Sequence, residues 1–130
     1  MIFLYLLRMN NYQTKSFKKW AAKEGIPVEK LLDAIDRISQ NLGVVDLGGN
    51  IYKVRIAKNK GKSGGYRTIM IYKEDFRCLF IHGFGKNKKD NITEKELDDA
   101  KKYAQDFLNY QEDYIKSLLE SKLIFSLEAQ

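Results

Sequence analysis

The sequence predicts an α+β fold, and three patterns carry that prediction. Leu31, Ile35, Ile38 and Leu42 recur at helical spacing in the first third. Tyr52, Val54 and Ile56 then alternate with Lys53 and Arg55, the two-residue period of a half-buried strand. In the last third, Thr93 and Glu96 make the T-x-x-E pattern of a capping box ahead of Leu97, Ala100, Ala104 and Phe107, again at helical spacing. Helical patterns on either side of a strand-rich centre imply two N-terminal helices packed on a small antiparallel sheet, with a C-terminal helix or helices.

The elements follow in order. Residues 14–24 read as a short helix with Phe17, Trp20 and Ala21 on one side, ended by Gly25. Pro27 suits the first turn of the next helix, which carries the Leu31 to Leu42 stripe and for which Gly43 is the natural stop. The strand at Ile51–Ala57 leads into a basic, glycine-rich loop, Lys58 to Gly65. Tyr66–Tyr72 is a second strand and Arg77–Phe84 a third, with a hairpin turn around Lys73 to Phe76. The third is almost continuously apolar, which suits a central strand. A last helix is expected around Tyr114, Ile115, Leu118 and Leu119.

The composition narrows the function. With 130 residues, 44% hydrophobic and 31% charged, the chain suits a single folded domain over residues 1–130. Cys78 is the only cysteine and His82 the only histidine, which excludes an intrachain disulfide, a structural zinc site and a two-histidine ribonuclease mechanism. Cys78 lies in an apolar run and reads as a small buried hydrophobe, and a reducing cytoplasm fits its lone thiol. His82, between Ile81 and Gly83-Phe84, reads as structural. The apolar start, Ile2 to Leu7, is too short to span a bilayer and lacks the flanks of a signal peptide, so no membrane association is expected. The functional polypeptide is expected to begin at Met9, leaving residues 1–8 as an upstream extension.

Charge is concentrated. Residues 53–89 hold eleven lysines and arginines against Glu74 and Asp75, a net +9, whereas residues 90–130 carry −5. Such a segment points to a polyanion. Lys53 and Arg55 are two residues apart and share one strand face, where two buried unpaired cations would be very costly, so that face is open. Arg67 follows the loop and Lys86 follows the third strand; if neighbouring strands pair, the four cations converge on one sheet surface. Such a cluster binds phosphate and stabilises a phosphorane-like transition state. Gly61-Lys62-Ser63 is not a P-loop, because the required upstream glycine is missing and a strand, not a helix, follows.

Several pieces taken together, Tyr52-Lys53-Val54-Arg55-Ile56-Ala57, Gly64-Gly65-Tyr66-Arg67-Thr68-Ile69 and Gly83-Phe84-Gly85-Lys86-Asn87 with Asp90-Asn91-Ile92, resemble the RelE/HigB branch of the RelE/ParE toxin superfamily from about Tyr12 to Ile124. The resemblance implies the toxin of a type II toxin–antitoxin system, an endoribonuclease that cuts mRNA in the ribosomal A site without metal or cofactor. It implies a cognate antitoxin, the ribosome and mRNA as partners. It places catalysis on Lys53, Arg55, Arg67 and Lys86: Lys53 or Arg55 assisting removal of the 2′-hydroxyl proton, Arg67 stabilising the phosphorane, and Lys86 binding phosphate or protonating the leaving oxygen. Lys58, Lys60 and Lys62 of the loop, Lys88, Lys89 and a base-stacking Tyr66 are the expected RNA contacts. Asn87 and a residue near Thr93 stand where some of these toxins carry an arginine and a tyrosine, so the resemblance leaves the general acid open. Two other readings compete: a ParE-like inhibitor of DNA gyrase, and a non-catalytic nucleic-acid-binding domain. The converging cations favour the nuclease, since an inhibitor has no need of them.

Overall fold

A computed structural model describes residues 10–57, 65–85 and 91–128. The order is β1 (Asn10–Thr14), α1 (Lys15–Lys23), α2 (Val28–Gln40), β2 (Val44–Gly48), β3 (Ile51–Ile56), β4 (Tyr66–Lys73), β5 (Arg77–Gly85), α3 (Glu94–Asn109), α4 (Glu112–Glu120) and β6 (Ile124–Ser126). Residues 1–9, the loop lysines Lys58, Lys60 and Lys62, and Lys86, Lys88 and Lys89 lie outside the described residues, and with them the expected start at Met9.

The helix ends follow local chemistry. Thr14 caps α1, its hydroxyl accepting the Phe17 N–H at 3.1 Å. Pro27 is the N-cap of α2, one position outside the helix, and α2 stops at Asn41 in the left-handed conformation (φ 56°), two residues before Gly43. Leu42 therefore leaves the apolar stripe and is 53% exposed. The capping box of α3 is formed in full: Thr93 Oγ1 accepts the Glu96 N–H at 3.1 Å and Glu96 Oε1 accepts the Thr93 N–H at 2.7 Å.

The sheet corrects the expected arrangement. A strand, not a helix, comes first, and the sheet has six strands in the order β2-β3-β4-β5-β1-β6. It is mixed, because β1 runs parallel to β5 while its other neighbour, β6, and the remaining pairs are antiparallel. The α1–α2 segment is the crossover that lets β1 lie beside β5. β2 joins β3 through the two-residue turn Gly49-Asn50, both at positive φ as a tight hairpin of this length requires.

Both faces are covered. On one, Val54, Ile56, Met70, Tyr72, Cys78 and Phe80 pack against α1 and α2, with the Phe17 and Phe80 rings stacked at 4.9 Å. On the other, Ile51, Ile69, Ile71, Leu79 and Ile81 pack against Ala100, Ala104 and Phe107 of α3 and Ile115 of α4. β5 is central, as its apolar run implied. Its register against β4 shifts between Ile69 and Met70, which pair with His82 and Phe80, so Ile81 is the extra residue of a β-bulge. Beyond the bulge Gly83 turns to the α1 face, where a Cβ would run into the Trp20 ring. Gly83→Ala is therefore expected to destabilise the fold by about 1–3 kcal/mol, read as a lower Tm, and Trp20→Leu in the same chain should recover part of the loss.

Candidate nucleic-acid interface

The strand alternation that buries Ile51 toward α3 carries Lys53 and Arg55 to the same face. On β4 the same alternation takes Arg67 to the side of Ile69 and Ile71. The ladder aligns them: Arg55 lies opposite Arg67, which lies opposite Phe84, and Lys53 lies opposite Ile69, which lies opposite His82. Two rows of three thus cross β3, β4 and β5 at the N-terminal end of α3, which still covers Ile69 in the second row and leaves the row of Arg55 and Arg67 open.

The rows differ in setting. Arg55 is exposed, while Lys53 and Arg67 are half-buried. Lys53 Nζ donates to Asn91 Oδ1 at 3.3 Å, and the same oxygen accepts the Ile92 N–H at 2.9 Å, tying the entry of α3 to the cation on β3. Arg67 Nη1 donates to the Tyr66 carbonyl at 3.3 Å. Gly65 precedes these residues at φ 57°, with the Ile56 carbonyl 2.8 Å from where a Cβ would stand, so a side chain there would push β3 and β4 apart.

Beside the cations runs a cleft of about 220 Å³ lined by Ile69, His82, Gly83, Phe84, Ile92 and Glu96. His82 also borders a second cleft, with Asp99, Ala100 and Tyr103 of α3. The bulge thus brings His82 out onto the exposed rim of the α3 face. The sequence reading named none of His82, Phe84, Ile92 and Glu96 as site residues; the capping box was the one signal that put Glu96 at the start of α3.

Of the expected site residues, the structure brings Lys53, Arg55 and Arg67 together. Tyr66 is not among them: it points to the other face, where its ring meets the edge of Trp20 at 5.5 Å. Burial and a hydrogen bond with Glu24 raise its hydroxyl above the usual tyrosine range. Lys86 and the five outer lysines fall outside the described residues. Burial pushes the Cys78 thiol up to about 12, so it holds its proton at neutral pH and supplies no nucleophile. No helix among the described residues is long and apolar enough to cross a membrane.

A family model described as the RelE toxin of the RelE / RelB toxin–antitoxin system matches residues 9–127. No curated protein matches the chain.

Like charges directly opposite on neighbouring strands destabilise a sheet, so the Arg55–Arg67 pair works against folding. Arg55→Thr should raise stability by about 0.2–1 kcal/mol. Thermal melts in low and high salt check this: the gain should shrink as salt screens the repulsion.

Proposed function

The chain belongs to the RelE toxin family, and on that premise we propose that it is the toxin of a type II toxin–antitoxin pair that inhibits translation by cutting mRNA on the ribosome. The observation that carries this reading is Arg55 in direct register with Arg67, one row from Lys53, on a sheet face that α3 leaves open. A fold that places two guanidinium groups opposite one another loses stability by it, and a bound phosphate reverses the sign of that interaction.

In this reading the RNA 2′-hydroxyl attacks the adjacent phosphorus and the 5′-oxygen departs. Arg67, central in its row, sits under the phosphate and holds the charge that builds on its oxygens. Lys53 and Arg55 flank it on β3 and favour loss of the 2′ proton through their field. Lys86, after β5, is the proposed fourth cation, with Lys58, Lys60, Lys62, Lys88 and Lys89 as further phosphate contacts. The charge-stabilising work falls to fixed cations, as it does wherever positioned donors meet a developing oxyanion.

Ribosome dependence fits the shape of this surface. Among the described residues the cations lie on an open face beside a shallow cleft, with little to orient a flexible single strand. A strand already ordered by the ribosome removes that need, because alignment is a large part of the barrier. The same cationic face suits the antitoxin, whose acidic segment would cover it in the resting complex.

Arg67→Ala is expected to lower cleavage about 10²–10³-fold and to relieve growth arrest when the chain is induced, with the fold intact by circular dichroism. Lys53→Ala and Arg55→Ala should each weaken cleavage, and the double change should remove it. Mapping RNA 5′ ends after induction checks all three. Full arrest by a folded Arg67→Ala chain would count against the site, and loss of DNA supercoiling without new RNA ends would favour the gyrase-directed reading.

A further inference from the structure

We infer that His82 is the general acid of the cleavage, donating its proton to the departing 5′-oxygen. This rests on the nuclease reading above and assigns a role that the family resemblance leaves open.

The argument begins with the two rows. Neighbouring strands lie about 4.8 Å apart, so Lys53 and His82, on either side of Ile69, are separated at the backbone by roughly 10 Å. A phosphate seated over Arg67 then has Lys53 and Arg55 on its β3 side and, on its β5 side, His82, which stands exposed at the rim of α3. In-line displacement needs that division, because the attacking and leaving oxygens stand on opposite sides of phosphorus. The proton lost from the 2′-oxygen leaves toward β3, and the proton gained by the 5′-oxygen comes from β5.

The chemistry of the side chain fits this position. An acid that works near neutral pH must hold a proton yet release it readily, which imidazole does and guanidinium does not. His82 is the chain's only histidine, and the bulge at Ile81 places it on this face. It shares its cleft with Glu96, and Asp99 and Tyr103 border it from α3, while Lys53 and Arg67 stand on the strands beyond. Glu96 is fixed by the capping box, so its charge stays near the imidazole and offsets the cations across the sheet. In the step, the 2′-hydroxyl proton passes to a solvent water on the β3 side, the 2′-oxygen–phosphorus bond forms and the phosphorus–5′-oxygen bond breaks. The imidazolium proton passes to the 5′-oxygen, giving a 2′,3′-cyclic phosphate and a 5′-hydroxyl. The neutral imidazole then regains a proton from water, and no electrons are exchanged with any other group.

The test uses the full chain on programmed ribosomes with two mRNAs, one carrying oxygen and one sulfur at the 5′ position of the cleaved linkage. A thiolate departs without protonation. His82→Gln should cut the oxygen mRNA about 10²–10⁴-fold more slowly than the wild type, and the sulfur mRNA at close to the wild-type rate. Arg67→Ala should remain slow on both. Rescue by sulfur also shows that the variant is folded, and His82→Asn should repeat the pattern. The inference is overturned if His82→Gln matches the wild type on the oxygen mRNA, or if His82→Gln and His82→Asn are equally slow on both mRNAs. Failure of the wild type to cut either mRNA would overturn the nuclease reading itself and this inference with it.

Discussion

The guanidinium of Arg77, 1% exposed at the first residue of β5, donates to the Phe107 carbonyl at 2.8 Å and meets Glu112 at 2.6 Å. Burying a cation this deeply costs several kcal/mol unless its partners are well placed. Here they are the C-terminal end of α3, where the helix dipole is negative, and the first turn of α4. The Phe76 ring, 4.4 Å from the guanidinium, adds a cation–π contact. Glu112 is largely exposed, so its half of the pair stays hydrated, while Arg77 Nε is buried without a hydrogen-bond partner among the described residues. Through this one side chain, both C-terminal helices are fixed to the central strand.

That attachment sets how much of the sheet α3 covers. Its 16 residues span about 24 Å. With its last turn held at Arg77 and its start fixed by the Thr93–Glu96 box, Ala100 and Ala104 lie over Ile69, Leu79 and Ile81. The cover therefore gives out at Glu96, and the row of Arg55 and Arg67 stays open, with Lys53 and His82 at the edge of the cover. The Asn91 contact to Lys53 reinforces the boundary from the other side, since one carboxamide oxygen serves both the lysine and the backbone entering the helix. The charge distribution follows the same division. The strands that bear the open face are cationic, whereas the helix that borders it is acidic at Glu94, Glu96, Asp98 and Asp99.

Much of this was legible in the sequence, for physical reasons that also explain what was not. α2 and α3 announce themselves because an amphipathic stripe or a capping box is a local signal. β3, β4 and β5 do so because each buries at least one face along its length. β1, Asn10-Asn11-Tyr12-Gln13-Thr14, is polar and short, and what makes it a strand is parallel pairing with a segment more than sixty residues away. β2 and β6 are edge strands of five and three residues, with little burial to pattern them. The mixed sheet was hidden for the same reason, since the antiparallel expectation saw only the strands joined by hairpins. Within the site, parity was enough to unite Lys53 and Arg55, and Arg67 joined them once neighbouring strands were taken to pair. It also bore on Tyr66, because neighbours on one strand point apart and the face of Arg67 excludes the residue before it.

His82 was hidden by an irregularity. Strict alternation from Leu79 and Ile81 would send residue 82 to the α1 face, under Trp20, and residue 83 to the face of α3. The bulge at Ile81 exchanges them. It leaves Ile81 and His82 on one face, returns Phe84 to that face, and sends residue 83 inward, where only a residue without a side chain clears the indole. Glycine at 83 and tryptophan at 20 are thus two halves of one constraint. The indole, in edge contact with Tyr66 and tilted against Phe17, closes the core on the α1 side, and its bulk leaves room beneath it only for Gly83. A larger residue at 83 would strain against that ring, and a regular ladder would trade the exposed imidazole for a buried one. Packing on the covered face therefore determines which side chain the opposite face offers to solvent, and β5 carries that information through the sheet.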